Sequence, residues 1–170
     1  MDTTDPKITF DEEGVCDHCQ MFNRVNRDLW EQIVSGANSH KLEQLVDRIK
    51  FEGKDQEYDS LIGLSGGSDS SYMLHMAVKE LGLRPLVFHV DAGWNSKQAV
   101  ENIRLLVEKL DLNLHVTVID WETMRKLQLA YYRAGVSDLD TPQDHVFFST
   151  MYRYAKNNGV KIILNGGNIS

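Results

Sequence analysis

The run Ser65-Gly66-Gly67-Ser68-Asp69-Ser70-Ser71 stands between the apolar stretch Leu61-Ile62-Gly63-Leu64 and the helical pattern Tyr72-Met73-Leu74-His75-Met76-Ala77. A strand that ends on two glycines and passes straight into a helix has few ways to fold. Gly66 and Gly67 allow a sharp turn and a close approach of backbone to a ligand, and the next amides enter the helix N-terminus without intrahelical acceptors. Unpaired N–H groups and the positive end of the helix dipole favour an anion, with the hydroxyls of Ser65, Ser68, Ser70 and Ser71 as neutral donors. The stretch predicts a phosphate cradle. The bland alternative is a glycine turn followed by a serine helix cap.

No lysine stands between Leu61 and Val78, so the loop is not a Walker A motif, and it does not match G-x-G-x-x-G. S-G-G-x-D-S between a strand and a helix resembles the PP-loop of the N-type ATP pyrophosphatases. These cleave ATP to AMP and pyrophosphate while adenylating a substrate, and the resemblance implies that reaction class here.

The 170 residues suit one main domain with a full core and a small appendage. The formal charge of −7 is uneven: residues 1–60 carry fourteen acids against seven Lys or Arg, whereas residues 61–170 carry eleven of each. No basic stripe with interleaved aromatics is present, which counts against a nucleic-acid partner. No apolar span reaches membrane length and the acidic opening Met1-Asp2-Thr3-Thr4-Asp5 is unlike a signal peptide, so a cytoplasmic protein with no membrane partner is expected.

Residues 1–20 predict a small knuckle, with Ile8-Thr9-Phe10 as a short strand before Cys16-Asp17-His18-Cys19. The C-x-x-C spacing leaves three readings open: half of a zinc site, a redox pair, or two small buried residues. Residues 21–57 predict a helical lead-in, with apolar residues at three- and four-residue steps and a break at Ser35–Ser39. From residue 58 to 170 strand and helix alternate. Strands are expected at Asp59–Leu64, Pro85–Val90, Asn113–Ile119 and Val160–Leu164, and helices at Ser71–Leu81, Ser96–Leu110, Glu122–Arg133 and Gln143–Asn157. That order predicts an α/β fold: a three-layer, Rossmann-like parallel sheet with helices on both faces and ligands at the carboxyl ends of its strands.

Three loops should therefore meet beside the cradle. They are Asp91-Ala92-Gly93-Trp94-Asn95-Ser96, Asp120-Trp121 and Asn165-Gly166-Gly167-Asn168. Asp91 is a candidate for ribose or metal, and Gly93 for close approach of backbone to the nucleotide. Asn95 reads equally as a helix cap and Trp94 as a rim hydrophobe. The connection Ala134–His145 gathers Asp138, Asp140, Gln143 and Asp144, which fits either substrate contact or an N-cap ahead of Pro142. His75 and His89 read as packing residues.

The combination D-T-T-D-P-x-I-x-F-D-E-x-G-V-C-x-x-C, S-G-G-x-D-S-S, V-D-A-G-W-N-S, D-x-D-T-P-Q-D-H and N-G-G-N resembles the N-acetyl sugar amidotransferases of surface-polysaccharide (O-antigen type) biosynthesis. These PP-loop proteins share the adenine nucleotide alpha hydrolase-like fold. The resemblance implies ATP and magnesium as cofactors, a nucleotide-activated N-acetyl sugar as substrate, and a glutaminase partner that supplies ammonia. It implies adenylation of the acetamido group and replacement of AMP by ammonia to give an acetamidino group, in lipopolysaccharide synthesis.

Residue by residue, it implies Asp69 and Ser70 as catalytic, with Asp69 helping to hold magnesium. Ser65, Gly66, Gly67, Ser68, Asp69, Ser70, Asp91, Gly93 and Asn168 would bind ATP, and Asp140, Gln143 and Asp144 would contact substrate. Gly67→Val should then block ATP by intrusion and by a forbidden backbone angle. Members extend further at both ends, and a second C-x-x-C would complete a zinc site with Cys16 and Cys19. A truncated chain is thus expected, with zinc bound only if outside residues complete the site. The alternatives are a PP-loop tRNA-thiolation enzyme and a non-catalytic nucleotide-binding subunit.

Overall fold

The computed structural model describes residues 1–167. Two compact units are present, Met1–Leu45 and Val46–Gly166. The first holds helices α1 (Asp17–Val25) and α2 (Arg27–Val34) and the start of α3 (Ser39–Glu52). The lead-in breaks at Asn26 as well as at 35–38, giving three helices where the spacing predicts two. The expected strand around Phe10 shrinks to one antiparallel bridge, Phe10 to Cys16. Asp11 closes that turn, its Oδ1 accepting from the amides of Glu13 and Val15 at 3.0 and 2.8 Å.

The second unit is built on β1 (Ser60–Gly63), β2 (Pro85–Asp91), β3 (Leu114–Val118) and β4 (Ile163–Leu164), all parallel, in the order β3-β2-β1-β4. Its helices are α4 (Ser68–His75), α5 (Lys97–Leu110), α6 (Trp121–Ala134) and α7 (Thr141–Asn157). Alternate residues of the central strands enter different cores, because successive side chains of a strand point to opposite faces. Ile62, Leu64 and Val87 bury with Val46 and Ile49 of α3, Leu74 of α4 and Ile103 of α5. Leu61, Leu86, Phe88 and Val90 bury with Met151 and Ala155 of α7. The expected three layers follow directly: helices, sheet, helices. Leu61 and Ile62 are wholly buried, each contributing about 1.5–3 kcal/mol by leaving water.

The helix expected over Ser71–Leu81 starts three residues earlier and ends as a π-helical turn, Met76–Glu80, before Gly82 in the left-handed region at φ +62°. The wider π spacing is not visible to a pattern search tuned to 3.6 residues per turn. Two helix starts are capped by side chains: Ser96 Oγ accepts from Ala99 N (3.1 Å) and Asp120 Oδ2 from Thr123 N (2.8 Å). Asp111 and Gly135 end those helices with positive φ. Among the described residues no helix is long and apolar enough to cross a membrane.

Candidate functional site

The chain leaves β1 held to β2, Leu64 N donating to Phe88 O at 2.8 Å. Gly66 then adopts φ +80°, and a Cβ there would lie 2.4 Å from the Ala99 carbonyl oxygen. Only glycine fits that position. Gly67 differs: its φ of −79° is ordinary, it is the N-cap of α4, and an added Cβ would meet Ser65 Oγ at 3.4 Å. The expected forbidden angle therefore belongs to Gly66 and not to Gly67.

Side chains tie the turn to itself. Ser65 N donates to Ser70 Oγ (3.2 Å), the two hydroxyl oxygens lie 3.0 Å apart, and Gly67 N donates to Ser65 Oγ (3.3 Å). From α5, Asn102 Nδ2 donates to Gly66 O at 2.9 Å. The amides of Ser68, Asp69 and Ser70 open the first turn of α4 and have no acceptor within the helix. Asp69 is exposed, and its Oδ1 accepts from Ser68 Oγ at 3.1 Å. An anion at this end meets main-chain donors and the positive pole of the helix. Gly66, Ser68, Asp69 and Ser70 thus form a turn whose main-chain donors face an anion, with the exposed Asp69 carboxylate beside them.

Beside the turn lies a cleft of about 480 Å³, a size that suits a nucleotide or a sugar derivative. The carboxyl ends of three strands line it, through Ser65 after β1, His89 and Val90 of β2, and Asn165 and Gly166 after β4. The chain moves from β1 to β2 and β3 on one side and returns to place β4 on the other, so the cleft sits at the sheet's switch point. The opposite wall is α7, which presents Gln143, Asp144, Phe147, Phe148 and Met151. Gly166 joins turn and cleft. A Cβ there would lie 3.3 Å from the Asp69 carbonyl carbon and 3.4 Å from Ser70 N.

Of the residues singled out in the sequence, Ser65, Trp94, Asn95, Gln143, Asp144, Asn165 and Gly166 line the cleft, and Gly66 to Ser70 form the turn bordering it. Asp91 and Gly93 are not among the lining residues. Asp91 Oδ1 accepts from Gly93 N at 2.9 Å, closing a local turn. Gly93 has φ +86°, and its missing Cβ makes room for the Trp121 ring, whose Cε3 would be 2.4 Å away. Trp94 packs edge-on against that ring, centroids 5.1 Å apart. Asp140 is exposed at the start of α7 and makes no side-chain cap bond. His75 is exposed rather than packed. Asn168 lies outside the described residues.

Cys16 is buried at the N-cap of α1 and Cys19 is exposed. Cys19 N donates to Cys16 Sγ at 3.4 Å, which lowers the Cys16 thiol pKa, while the neighbouring sulfur raises that of Cys19. Among the described residues no group of three or more His, Cys, Asp or Glu side chains could hold a metal. Two thiols do not make a structural zinc site, which takes four ligands.

The sequence reading passed over His89 and Asn102 as site residues and left Asn95 evenly between a helix cap and a functional role. His89 packs as expected and is buried, but it also faces the cleft. Its Nδ1 lies 2.7 Å from Leu64 O and its Nε2 3.0 Å from Asn95 Nδ2. A carbonyl only accepts, so Nδ1 carries the proton and Nε2 accepts from Asn95. Asn95 is not the helix cap, because Ser96 takes that role.

The sequence profile of the phosphoadenosine phosphosulfate reductase domain matches residues 60–162. No curated protein sequence matches the chain. Among solved structures, the chain is similar to the NH3-dependent NAD synthetase of Campylobacter jejuni subsp. jejuni, at 18% identity and a TM-score of 0.52 over 74% of this chain and 55% of that one. It is also similar to the glutamine-dependent NAD+ synthetase of Acinetobacter baumannii in complex with ADP, at 21% identity and a TM-score of 0.56, covering 72% of this chain and 23% of that one. The NMN synthetase of Francisella tularensis gives 23% identity and a TM-score of 0.54, covering 74% and 52%. The chain thus spans about half the length of two of these proteins and under a quarter of the third.

Proposed function

The chain belongs to the phosphoadenosine phosphosulfate reductase domain family, and from that premise we propose that it is the ATP-binding, adenylating part of an N-acetyl sugar amidotransferase. The observation that carries this reading is the glycine turn and open first turn of α4 bordering a cleft at the sheet's switch point. The same fold occurs in an NH3-dependent and a glutamine-dependent NAD synthetase, which supports a reading that uses ammonia or glutamine as nitrogen source.

The cleft's chemistry narrows the acceptor. Neither Lys nor Arg lines it, and Asp144 contributes a carboxylate. Such a lining lacks the cations that pair with a sulfate or a ribose phosphate, which disfavours phosphoadenosine phosphosulfate itself. The uncharged acetamido-sugar end of a nucleotide-activated sugar fits better: Phe147 and Phe148 offer an apolar surface for its methyl, and Gln143 and Asp144 polar groups for its hydroxyls. The amide oxygen attacks the α-phosphorus of ATP; an O–P bond forms, the bond to the β-phosphate breaks, and pyrophosphate leaves. The open amides of α4 steady that departing charge. Ammonia from a glutaminase partner then forms the new C–N bond and AMP leaves with the former amide oxygen. Asp69 would help to hold a magnesium ion, which would supply charge neutralisation when bound.

Pyrophosphate release, measured with MgATP, ammonium and a panel of nucleotide-activated N-acetyl sugars, tests the reading. Release is expected to need both sugar and ammonia. Asp69→Asn should keep the fold by circular dichroism and cut release by about 100-fold, the size of loss typical for a lost charge-stabilising group. Unchanged release in that variant rejects the Asp69 role. A folded chain that releases nothing with every sugar, even beside a glutaminase, supports a non-catalytic subunit instead.

A further inference from the structure

Leu64 and Ser65 share the first peptide unit of the phosphate turn, and side chains hold both of its polar atoms. The oxygen accepts from His89 Nδ1 at 2.7 Å, and the N–H donates to Ser70 Oγ at 3.2 Å. Two units further on, the Gly66 carbonyl accepts from Asn102 Nδ2. Two carbonyls of the turn are thus drawn toward β2 and α5. A peptide free to rotate would exchange its N–H and C=O positions, turning a partly negative oxygen toward a bound phosphate. Holding the oxygen prevents that exchange.

His89 is well suited to hold it. The ring is 7% exposed, so its polar atoms need partners within the protein. Asn95 supplies the second one, donating to Nε2 at 3.0 Å, and this fixes the proton on Nδ1 where Leu64 O requires it. The chain of bonds is directional, from Asn95 to His89 to Leu64 O. It links the loop after β2 to the loop after β1. Resting on the nucleotide reading above, we propose that His89, oriented by Asn95, is the positioning residue of the phosphate turn.

Three measurements test this on the whole chain. His89→Leu removes the donor and should weaken MgATP binding by about tenfold or more in calorimetry, the consequence of leaving a buried carbonyl unpaired. His89→Asn places an amide N–H near the former Nδ1 and should recover most of the affinity. Equal affinity in the wild type, His89→Leu and His89→Asn overturns the proposal. Long-range 1H–15N spectra in mildly alkaline buffer, with the His89 signals identified by their loss in His89→Leu, should show the proton on Nδ1; a ring protonated only at Nε2 also overturns it. A wild-type chain that binds no MgATP refutes the nucleotide reading, and the brace is then judged on the spectra alone. In that event, a Ser65 amide resonance unmoved by His89→Leu sinks it.

Discussion

Gly66 and Gly67 are neighbours that the sequence presents as equals, and the fold separates them. Gly66 has a positive φ and the Ala99 carbonyl where a Cβ would have to stand, whereas Gly67 has an ordinary φ and room for a methyl group. Gly66→Ala should lower the unfolding free energy by about 2 kcal/mol or more, from strain in the left-handed region plus the clash. Gly67→Ala should cost about 1 kcal/mol or less, the loss expected when alanine replaces glycine at an N-cap. Urea denaturation of the two variants checks the ordering, and a larger loss at Gly67 contradicts the geometry. The turn between β1 and α4 was legible as a turn, because Ser-Gly-Gly-Ser-Asp-Ser carries its own local chemistry. Asn102 was not, since its value comes from a carbonyl thirty-six residues earlier in the chain. Gly93 misled for the same reason. Its freedom serves the Trp121 ring, a contact that no local spacing reveals.

Helix starts on α5 and α6 show how caps divide labour between neighbours. Ser96 caps α5, which frees Asn95 for His89, and Asp120 caps α6, which lets Trp121 pack over Gly93. The hydrogen bonds from Thr123 hold the Asp120 carboxyl below its ordinary range. A carboxylate with a depressed folded-state pKa stabilises above its unfolded value and loses that contribution as pH falls through the folded value. Asp120→Ala should therefore melt earlier than the wild type at neutral pH. The gap should close as the medium is acidified from about pH 5 through the usual aspartate range. A gap that stays constant in differential scanning calorimetry contradicts the cap's ionic character. On α5, Asn102→Ala should cost about 1 kcal/mol of stability by denaturant titration and weaken MgATP binding more than Lys109→Ala on the exposed face of the same helix. Element types were readable from periodicity, but several limits were not. The strand expected at Val160–Leu164 pairs at two residues only, because its register is set by Leu61 and Ile62 and not by its own composition.

The parallel sheet with helices on both faces was foreseeable, since buried β-rich runs alternating with helices leave little choice of architecture. The strand order and the cleft wall were not, because α7 meets the strand ends through contacts distant in sequence. A nucleotide in that cleft binds only the folded chain, so MgATP at a hundred times its dissociation constant should add about 2.7 kcal/mol to the unfolding free energy. Thermal unfolding with and without MgATP measures it; an unmoved midpoint would remove ATP from the account. One small contact has a wider reach. A Cβ at Gly166 would crowd the Asp69 and Ser70 backbone by a few tenths of an ångström, so the segment leaving β4 packs tightly on the first turn of α4. A bulkier residue there must displace either the strand's exit or the helix's opening, so Gly166→Val is expected to disturb both elements at once.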